Sequence, residues 1–194
     1  MTERNGFRPG QGDALLIVDL QHDFLPGGSL AVPHGDEVLP VLERYLERFS
    51  SLPVYATRDW HPPGHCSFRE QGGPWPPHCI AGTHGAEFAL QLPPSAVIVS
   101  KATRVEQDAY SGFEGTDLDA RLRAANIRRL YVGGLATDYC VLNTVRDALK
   151  LGYRVMLLAD SIRAVDVHPG DGARAEAEML ALGAQRLTLQ EISA

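Results

Sequence analysis

Asp19, Lys101 and Cys140 are the residues of this chain best suited to bond chemistry. Each follows a short apolar or glycine-containing run, at three well separated places. A thiol needs a base to become a nucleophile, and a carboxylate beside an ammonium can supply one. If the three side chains meet, Cys140 is a candidate nucleophile, Asp19 its proton acceptor and Lys101 a charge stabiliser. A buried packing cysteine and a structural Asp19–Lys101 ion pair are the alternatives.

The position of Cys140 favours the catalytic interpretation. It lies where a turn containing Gly133 and Gly134 is predicted to enter a helix. The positive end of a helix dipole stabilises a thiolate there. Backbone N–H groups at the same place could hold a developing oxyanion.

A second group of residues has the composition of a metal site. Asp59 and His61 are two residues apart, so on an extended segment they face the same side. His65 returns after a Pro-Pro-Gly turn, and His78 could add a third imidazole. One carboxylate with imidazoles suits Zn, Fe or Mn, so we expect one divalent metal ion. Solvated histidines are the alternative.

Cys66 and Cys79 allow a competing hypothesis, a structural zinc held by thiolates. Each lies directly beside a histidine, and adjacent residues of an extended chain point to opposite sides. Their spacing also matches no C-x-x-C motif. A nucleotide cofactor is not expected, because the chain has neither G-x-G-x-x-G nor a Gly-Lys-Ser/Thr phosphate loop.

The elements that must position these residues alternate between strand and helix. Strands are predicted at 14–18, 54–57, 97–100, 130–132 and 155–158, with 187–189 as an edge strand. Helices are predicted at 36–50 with Asp36 as N-cap, at 118–125, at 141–151 ending before Gly152, and at 173–182. Continuous apolar strands alternating with helices indicate a doubly wound α/β domain with a parallel sheet. Ligands bind such sheets at the carboxyl ends of the strands, where the candidate residues lie.

The length of 194 residues predicts a single domain, 1–194. An insertion at about 60–92 interrupts the alternation and contains neither a convincing strand nor a long helix. It is rich in proline and glycine and carries Trp60, Phe68 and Trp75. A structureless stretch of this length with aromatic residues is typically functional, so we expect metal and substrate binding there.

Composition excludes several classes of protein. The net charge is −6 and no basic run exceeds two residues, which argues against nucleic-acid binding. No apolar run approaches the ~20 residues of a membrane span, and residues 1–13 lack the apolar stretch of a signal peptide. The three cysteines are an odd number and cannot all pair within the chain. We therefore expect a cytoplasmic protein that binds neither nucleic acid nor membrane.

The motifs, taken in order, resemble the nicotinamidases, a metal-containing branch of the isochorismatase-like cysteine hydrolases. The resemblance covers about residues 14–182. It rests on the segments VDLQHDF at 18–24, GGSL at 27–30, DWH at 59–61, HCSF at 65–68, WPPHC at 75–79, YSGF at 110–113 and GLATDYCV at 134–141, with Lys101.

The resemblance implies a fold and a set of site residues. The fold is a three-layer, doubly wound domain with a six-stranded parallel sheet flanked by helices. The implied residues are a triad of Asp19, Lys101 and Cys140, an oxyanion hole from the N–H groups of Ala136 and Cys140 after a cis peptide, metal ligands Asp59, His61 and His78 with His65 as ligand or neighbour, and substrate contacts from Phe24, Trp75, Tyr110 and Leu135.

The resemblance also implies an activity. It is hydrolysis of the small molecule nicotinamide to nicotinate and ammonia through a cysteine thioester, in NAD salvage, with pyrazinamide as a further substrate. Other hydrolases of the superfamily acting on carbamoyl or ureido compounds, and a non-catalytic metal-binding module, stay open. Isochorismatase itself fits less well because that branch lacks the nucleophilic cysteine. The sequence leaves homo-oligomer formation open.

Overall fold

The structure is a computed structural model that describes residues 7–192. Six parallel strands form one sheet in the order β3-β2-β1-β4-β5-β6. The strands are β1 Asp13–Val18, β2 Val54–Asp59, β3 Val97–Lys101, β4 Arg129–Leu135, β5 Arg154–Arg163 and β6 Gln185–Leu187. The helices are α1 Leu39–Arg48, α2 Leu118–Ala124, α3 Leu142–Lys150 and α4 Asp171–Ala181.

Strand β1 lies at the centre of the sheet, and all six of its residues are buried. Its side chains alternate between the two faces. Leu16 and Val18 enter the core beneath α2, α3 and α4, whereas Leu15 and Ile17 enter the core beneath α1. The two cores on opposite faces give three layers, which confirms the predicted doubly wound fold.

Strand β4 is longer than predicted and contains the glycines assigned to a turn. Gly133 and Gly134 pair with β1. A Cβ on Gly134, whose φ is +124°, would strike the backbone of Val18, and a Cβ on Gly133 would strike the Ser161 hydroxyl. These glycines therefore permit close packing rather than a turn.

Several predicted boundaries were wrong. Strand β5 continues to Arg163, five residues beyond its predicted end. Helix α1 begins at Leu39, after a 3₁₀ turn at Gly35–Val38. Proline is favoured at the first positions of a helix, and Pro40 would lie in the interior of a helix that began at Asp36. A π-helical turn, Thr137–Val141, precedes α3. The edge strand β6 ends at Leu187, since Thr188 and Glu191 form a capping box around the next turn.

The long connection between β2 and β3 contains two short 3₁₀ turns, Arg69–Gln71 and His84–Ala86, as its helical elements. Within residues 7–192, no helix has the length and apolar character needed to cross a membrane. Residues 1–6 and 193–194 lie outside the described part of the chain. The prediction about a signal peptide and the outer limits of the single domain 1–194 fall partly on them.

Candidate active site

The candidate site lies where the chain direction across the sheet reverses. Strands β1 and β4 are neighbours, but β1 leads to α1 on one face and β4 leads to α3 on the other. Such a switch point opens a crevice at the carboxyl ends of the strands. Asp19 follows β1 and Cys140 follows β4, so the topology brings them together.

Three buried side chains meet in this crevice. The Lys101 ammonium lies 2.9 Å from Asp19 Oδ2 and 3.5 Å from Cys140 Sγ. Asp19 Oδ1 accepts a 2.7 Å hydrogen bond from the Thr57 hydroxyl. A carboxylate, an ammonium and a thiol are thus in one cluster, which is the arrangement needed to activate a cysteine.

Burial controls the protonation of this cluster. It raises the pKa of the Cys140 thiol well above its usual range, although Lys101 opposes the shift. Burial also raises the pKa of Asp19, with Lys101 again opposing. Burial disfavours the charge on Lys101, but attraction to Asp19 and Asp59 outweighs it and raises the pKa of the ammonium. Cys140 therefore rests as a thiol beside a carboxylate more basic than an ordinary aspartate.

Asp59, His61 and His78 form a second buried group next to the first. Their ligand atoms all lie within 4.8 Å of one another. Asp59 Oδ2 is 3.6 Å from His61 Nε2 and 3.9 Å from His78 Nε2. The other oxygen of Asp59 forms an ion pair with Lys101. Asp59 is therefore shared between the two groups.

The tautomers of the two histidines suit a metal ion. His61 Nδ1 lies 3.3 Å from the Ala102 carbonyl and His78 Nδ1 lies 2.8 Å from the Pro76 carbonyl. Because a carbonyl only accepts, each Nδ1 carries the proton and each Nε2 presents a lone pair. Burial lowers the pKa of His78, which favours its neutral form. His61 Nε2 is buried without a hydrogen-bond partner in residues 7–192, so the group fits a divalent metal.

His65 lies beside this group with both ring nitrogens occupied. Nδ1 is 2.8 Å from the Ser67 hydroxyl and Nε2 is 3.1 Å from the Gln107 carbonyl. The centroids of the His65 and His61 rings are 4.2 Å apart. These contacts favour a role for His65 as a neighbour that packs against His61, and they disfavour His65 as a direct metal ligand.

The other two cysteines contribute no thiol to either group of the described chain. Cys79 is buried, and its backbone N–H donates a 2.7 Å hydrogen bond to Asp23. Cys66 is half-buried. Over the described chain, neither thiol belongs to a cluster of converging metal-ligand atoms. The structural-zinc alternative therefore has no support.

A cavity lies above the two groups. Cys140, Ala136 and the three candidate metal ligands contribute to its lining. Its apolar and aromatic walls come from Phe24, Leu30, Val32, Trp75, Tyr110, Tyr139 and Val165. The Trp75 indole N–H donates a 3.0 Å hydrogen bond to the Tyr110 hydroxyl, which fixes one aromatic wall. The space suits a flat, uncharged ring.

Leu135 does not contribute to this lining, contrary to the prediction. It is fully buried in the core on the α1 side of the sheet and packs against Gly35. The Leu135–Ala136 peptide is cis, and Ala136 rather than Leu135 reaches the cavity. Tyr139 and Val165 are wall residues that the sequence analysis missed. Tyr139 could have been found as the neighbour of Cys140.

The sequence analysis also missed the function of Gln21. Its buried side-chain amide donates hydrogen bonds of 2.7 Å to the Asp59 carbonyl and 2.9 Å to the Ala86 carbonyl. Its Oε1 accepts a 2.8 Å hydrogen bond from the Asp59 N–H. Gln21 therefore holds the backbone of Asp59 on both sides and ties it to the long loop.

The fold and the site together define a doubly wound α/β domain with a buried thiol beside a candidate metal centre. The Isochorismatase domain family matches residues 13–191, and the chain belongs to this family. It is 41% identical to the nicotinamidase of Escherichia coli K12 over 203 residues, which covers 92% of this chain and 95% of that protein. It is 39% identical to the nicotinamidase/pyrazinamidase of Mycobacterium tuberculosis H37Rv over 156 residues, covering 76% and 84%.

A solved structure gives the same likeness in three dimensions. The pyrazinamidase of Pyrococcus horikoshii in complex with zinc superposes with a TM-score of 0.89 at 49% identity, covering 92% of this chain and 99% of that chain. The six-stranded parallel sheet flanked by helices is thus the fold of this family.

Proposed function

We propose that this protein hydrolyses nicotinamide to nicotinate and ammonia. One observation carries the proposal: the Cys140 thiol and the Asp59–His61–His78 group line the same aromatic-walled cavity. A pyridine ring bearing a carboxamide matches both groups, because its ring nitrogen can face the Asp59–His61–His78 group while its carbonyl carbon faces the Cys140 thiol. Similarity to nicotinamidases over most of the chain supports this choice of substrate.

The first half of the reaction forms a thioester. Asp19 takes the proton from Cys140, whose sulfur then attacks the carboxamide carbon. The N–H groups of Ala136 and Cys140 hold the oxyanion. Asp19 returns the proton to the nitrogen as the C–N bond breaks, and ammonia leaves. Lys101 keeps Asp19 oriented and balances its charge.

The second half releases the product. Water attacks the thioester carbonyl and gives a proton to Asp19, and the same N–H groups hold the second oxyanion. The C–S bond then breaks and nicotinic acid leaves, giving up its carboxyl proton to the solvent to become nicotinate, while Asp19 returns its own proton to the Cys140 sulfur. The triad ends in its starting state, so the cycle balances with one water consumed and one ammonia released.

A divalent metal would be held by Asp59, His61 and His78, with His65 supporting His61. When bound, it would supply a Lewis acid that grips the ring nitrogen of the substrate and so positions the carboxamide. Zinc, iron and manganese all suit one carboxylate and two imidazoles. The walls formed by Phe24, Trp75 and Tyr110 would hold the ring by stacking and edge contacts.

The proposal has three extensions. Pyrazinamide carries the same carboxamide on a ring with a nitrogen in the same relative position, so it should be a substrate. Nicotinate release serves NAD salvage. The three cysteines are free thiols in the structure, which supports the proposal that the protein acts in the reducing environment of the cytoplasm.

The test is a comparison of substrates on the purified, metal-loaded protein. We expect equal amounts of nicotinate and ammonia from nicotinamide. Benzamide, which lacks the ring nitrogen, should react far more slowly. Hydrolysis of a ureido or carbamoyl compound without hydrolysis of nicotinamide would assign the protein to another amidase group. Metal binding without any ammonia release would favour a binding module.

A further inference from the structure

We propose that Asp138 is a positioning residue that fixes Val165 as one wall of the substrate cavity and thereby sets the affinity for the substrate and the selectivity against substituents on its ring. The inference rests on the proposed function for its substrate. It concerns a residue of the 134–141 motif that the mechanism above leaves without a role. Asp138 lies two residues before Cys140, on the π-helical turn Thr137–Val141.

The Asp138 carboxylate spans from this turn to the loop after β5. One oxygen accepts a 2.9 Å hydrogen bond from the N–H of Val165, and the other accepts a 2.9 Å bond from the N–H of Asp166. Both carboxylate oxygens are thus used on two consecutive backbone groups. Hydrogen bonds to a charged acceptor are stronger than neutral ones, so this contact fixes the local backbone.

The same loop is fastened on its other side to α4. Asp166 Oδ1 accepts a 2.7 Å hydrogen bond from the N–H of Gly172, in the first turn of that helix. Ala164 packs so closely on Gly172 that a Cβ there would collide with it. Asp166 has a φ of +53°, a left-handed conformation held by these contacts. The backbone at 164–166 is therefore held between the turn that carries Cys140 and α4.

Val165 is the residue of this loop that lines the cavity, where Tyr139 is also part of the wall. It is only half-buried, and Asp166 and Val167 beyond it are exposed. Val165 packs against the core on the α1 side of the sheet, and the hydrogen bonds from the N–H groups of Val165 and Asp166 to Asp138 fix the backbone that carries it. Releasing them would let Val165 move away from the ring of the substrate without moving Lys101 or Asp19.

The variant Asp138→Asn tests this directly, because it keeps the shape but offers one acceptor where two N–H groups need one each. We expect KM for nicotinamide to rise about tenfold, with kcat within about threefold of wild type. Turnover of a ring-methylated nicotinamide should fall less than turnover of nicotinamide. Asp117→Asn, which removes an exposed carboxylate paired with Arg121, is the matched control and should change neither value.

A double-mutant cycle with Val165→Ala separates positioning from a general structural effect. If Asp138 acts through Val165, the effect of Asp138→Asn on KM should be much smaller in the Val165→Ala background. Both single variants and the double variant should remain cooperatively folded and keep the metal content of wild type. Additive effects on KM, or a fall in kcat with KM unchanged, would overturn the inference.

A readout without substrate distinguishes this inference from the proposed function. Hydrogen exchange at the Val165 and Asp166 amides should be slow in wild type and much faster in Asp138→Asn. Equal exchange in both proteins would overturn the positioning role. Absence of nicotinamide turnover in wild type, with this difference in exchange present, would overturn only the proposed substrate.

Discussion

The carboxylate of Asp59 forms an ion pair with Lys101 through one oxygen and turns the other toward the imidazoles of His61 and His78. The acid–base cluster and the candidate metal group are therefore neighbours that share a residue. A change in either group should alter the electrostatics of the other, because all of these side chains are buried where charges are weakly screened.

Replacing Lys101 by methionine should remove both activity and stability. Asp19 and Asp59 would remain buried without their cation, and breaking such a buried pair costs about 3–5 kcal/mol. We expect a lower urea midpoint and a fall in kcat of at least about 100-fold. Lys150→Met, at the exposed end of α3, is the control and should leave both unchanged. Near wild-type stability in Lys101→Met would contradict the pairing.

His78 and His65 should respond differently to replacement by alanine. His78→Ala removes a ligand nitrogen, so elemental analysis should show loss of the bound metal and turnover should fall with it. His65→Ala should keep one metal per chain, because both ring nitrogens of His65 already contact Ser67 and Gln107. Its metal affinity should weaken by about 10–100-fold through loss of support for His61. Complete loss of metal in His65→Ala would make His65 a ligand.

Gln21 should support metal binding through the backbone of Asp59, which its side chain holds. Gln21→Leu leaves the N–H and carbonyl of Asp59 buried without these partners, at a cost of about 1–3 kcal/mol for each unpaired group. We expect weaker metal binding in chelator competition and a lower melting temperature. Gln91→Leu, on the exposed part of the long loop, provides the comparison. Unchanged metal affinity in Gln21→Leu would show that Asp59 needs no such support.

The loss of activity at low pH should follow the protonation of Asp19. Burial raises the pKa of Asp19, and only the deprotonated carboxylate can accept the thiol proton. Activity should therefore be lost, as the pH falls, above the ordinary aspartate value of about 4. The measurement is kcat/KM against pH, with metal content checked at each point. Full activity down to pH values near about 4 in metal-retaining protein would exclude a raised pKa.

The sequence was sufficient for the features that depend on local pattern. The continuous apolar run at 14–18 predicted a buried central strand, and the end of that strand gave Asp19. The rule that ligands bind at the carboxyl ends of parallel strands placed Asp59 and Lys101 correctly relative to the sheet. Such features follow from the order of apolar and polar residues along the chain, which determines the segments that are buried.

Features that depend on tertiary contacts were not predictable in this way. Gly133 and Gly134 suggested a turn, since a glycine that permits close strand packing has the same sequence signal as one in a turn. Val165 lines the cavity from a loop after β5 that is distant in sequence from Cys140 and contacts Asp138 in the folded chain. Leu135 was assigned to the cavity from its place in a motif, but strand alternation turns its side chain into the core.

The most direct test of cysteine chemistry is nicotinate release by Cys140→Ala compared with Cys66→Ala. We expect Cys140→Ala to retain its metal and its fold but to release no nicotinate, because no nucleophile remains beside Asp19. Cys66→Ala, which removes a half-buried thiol outside the cavity lining, should keep activity close to wild type. Nicotinate release that persists in folded, metal-loaded Cys140→Ala would contradict the assignment of Cys140 as the nucleophile.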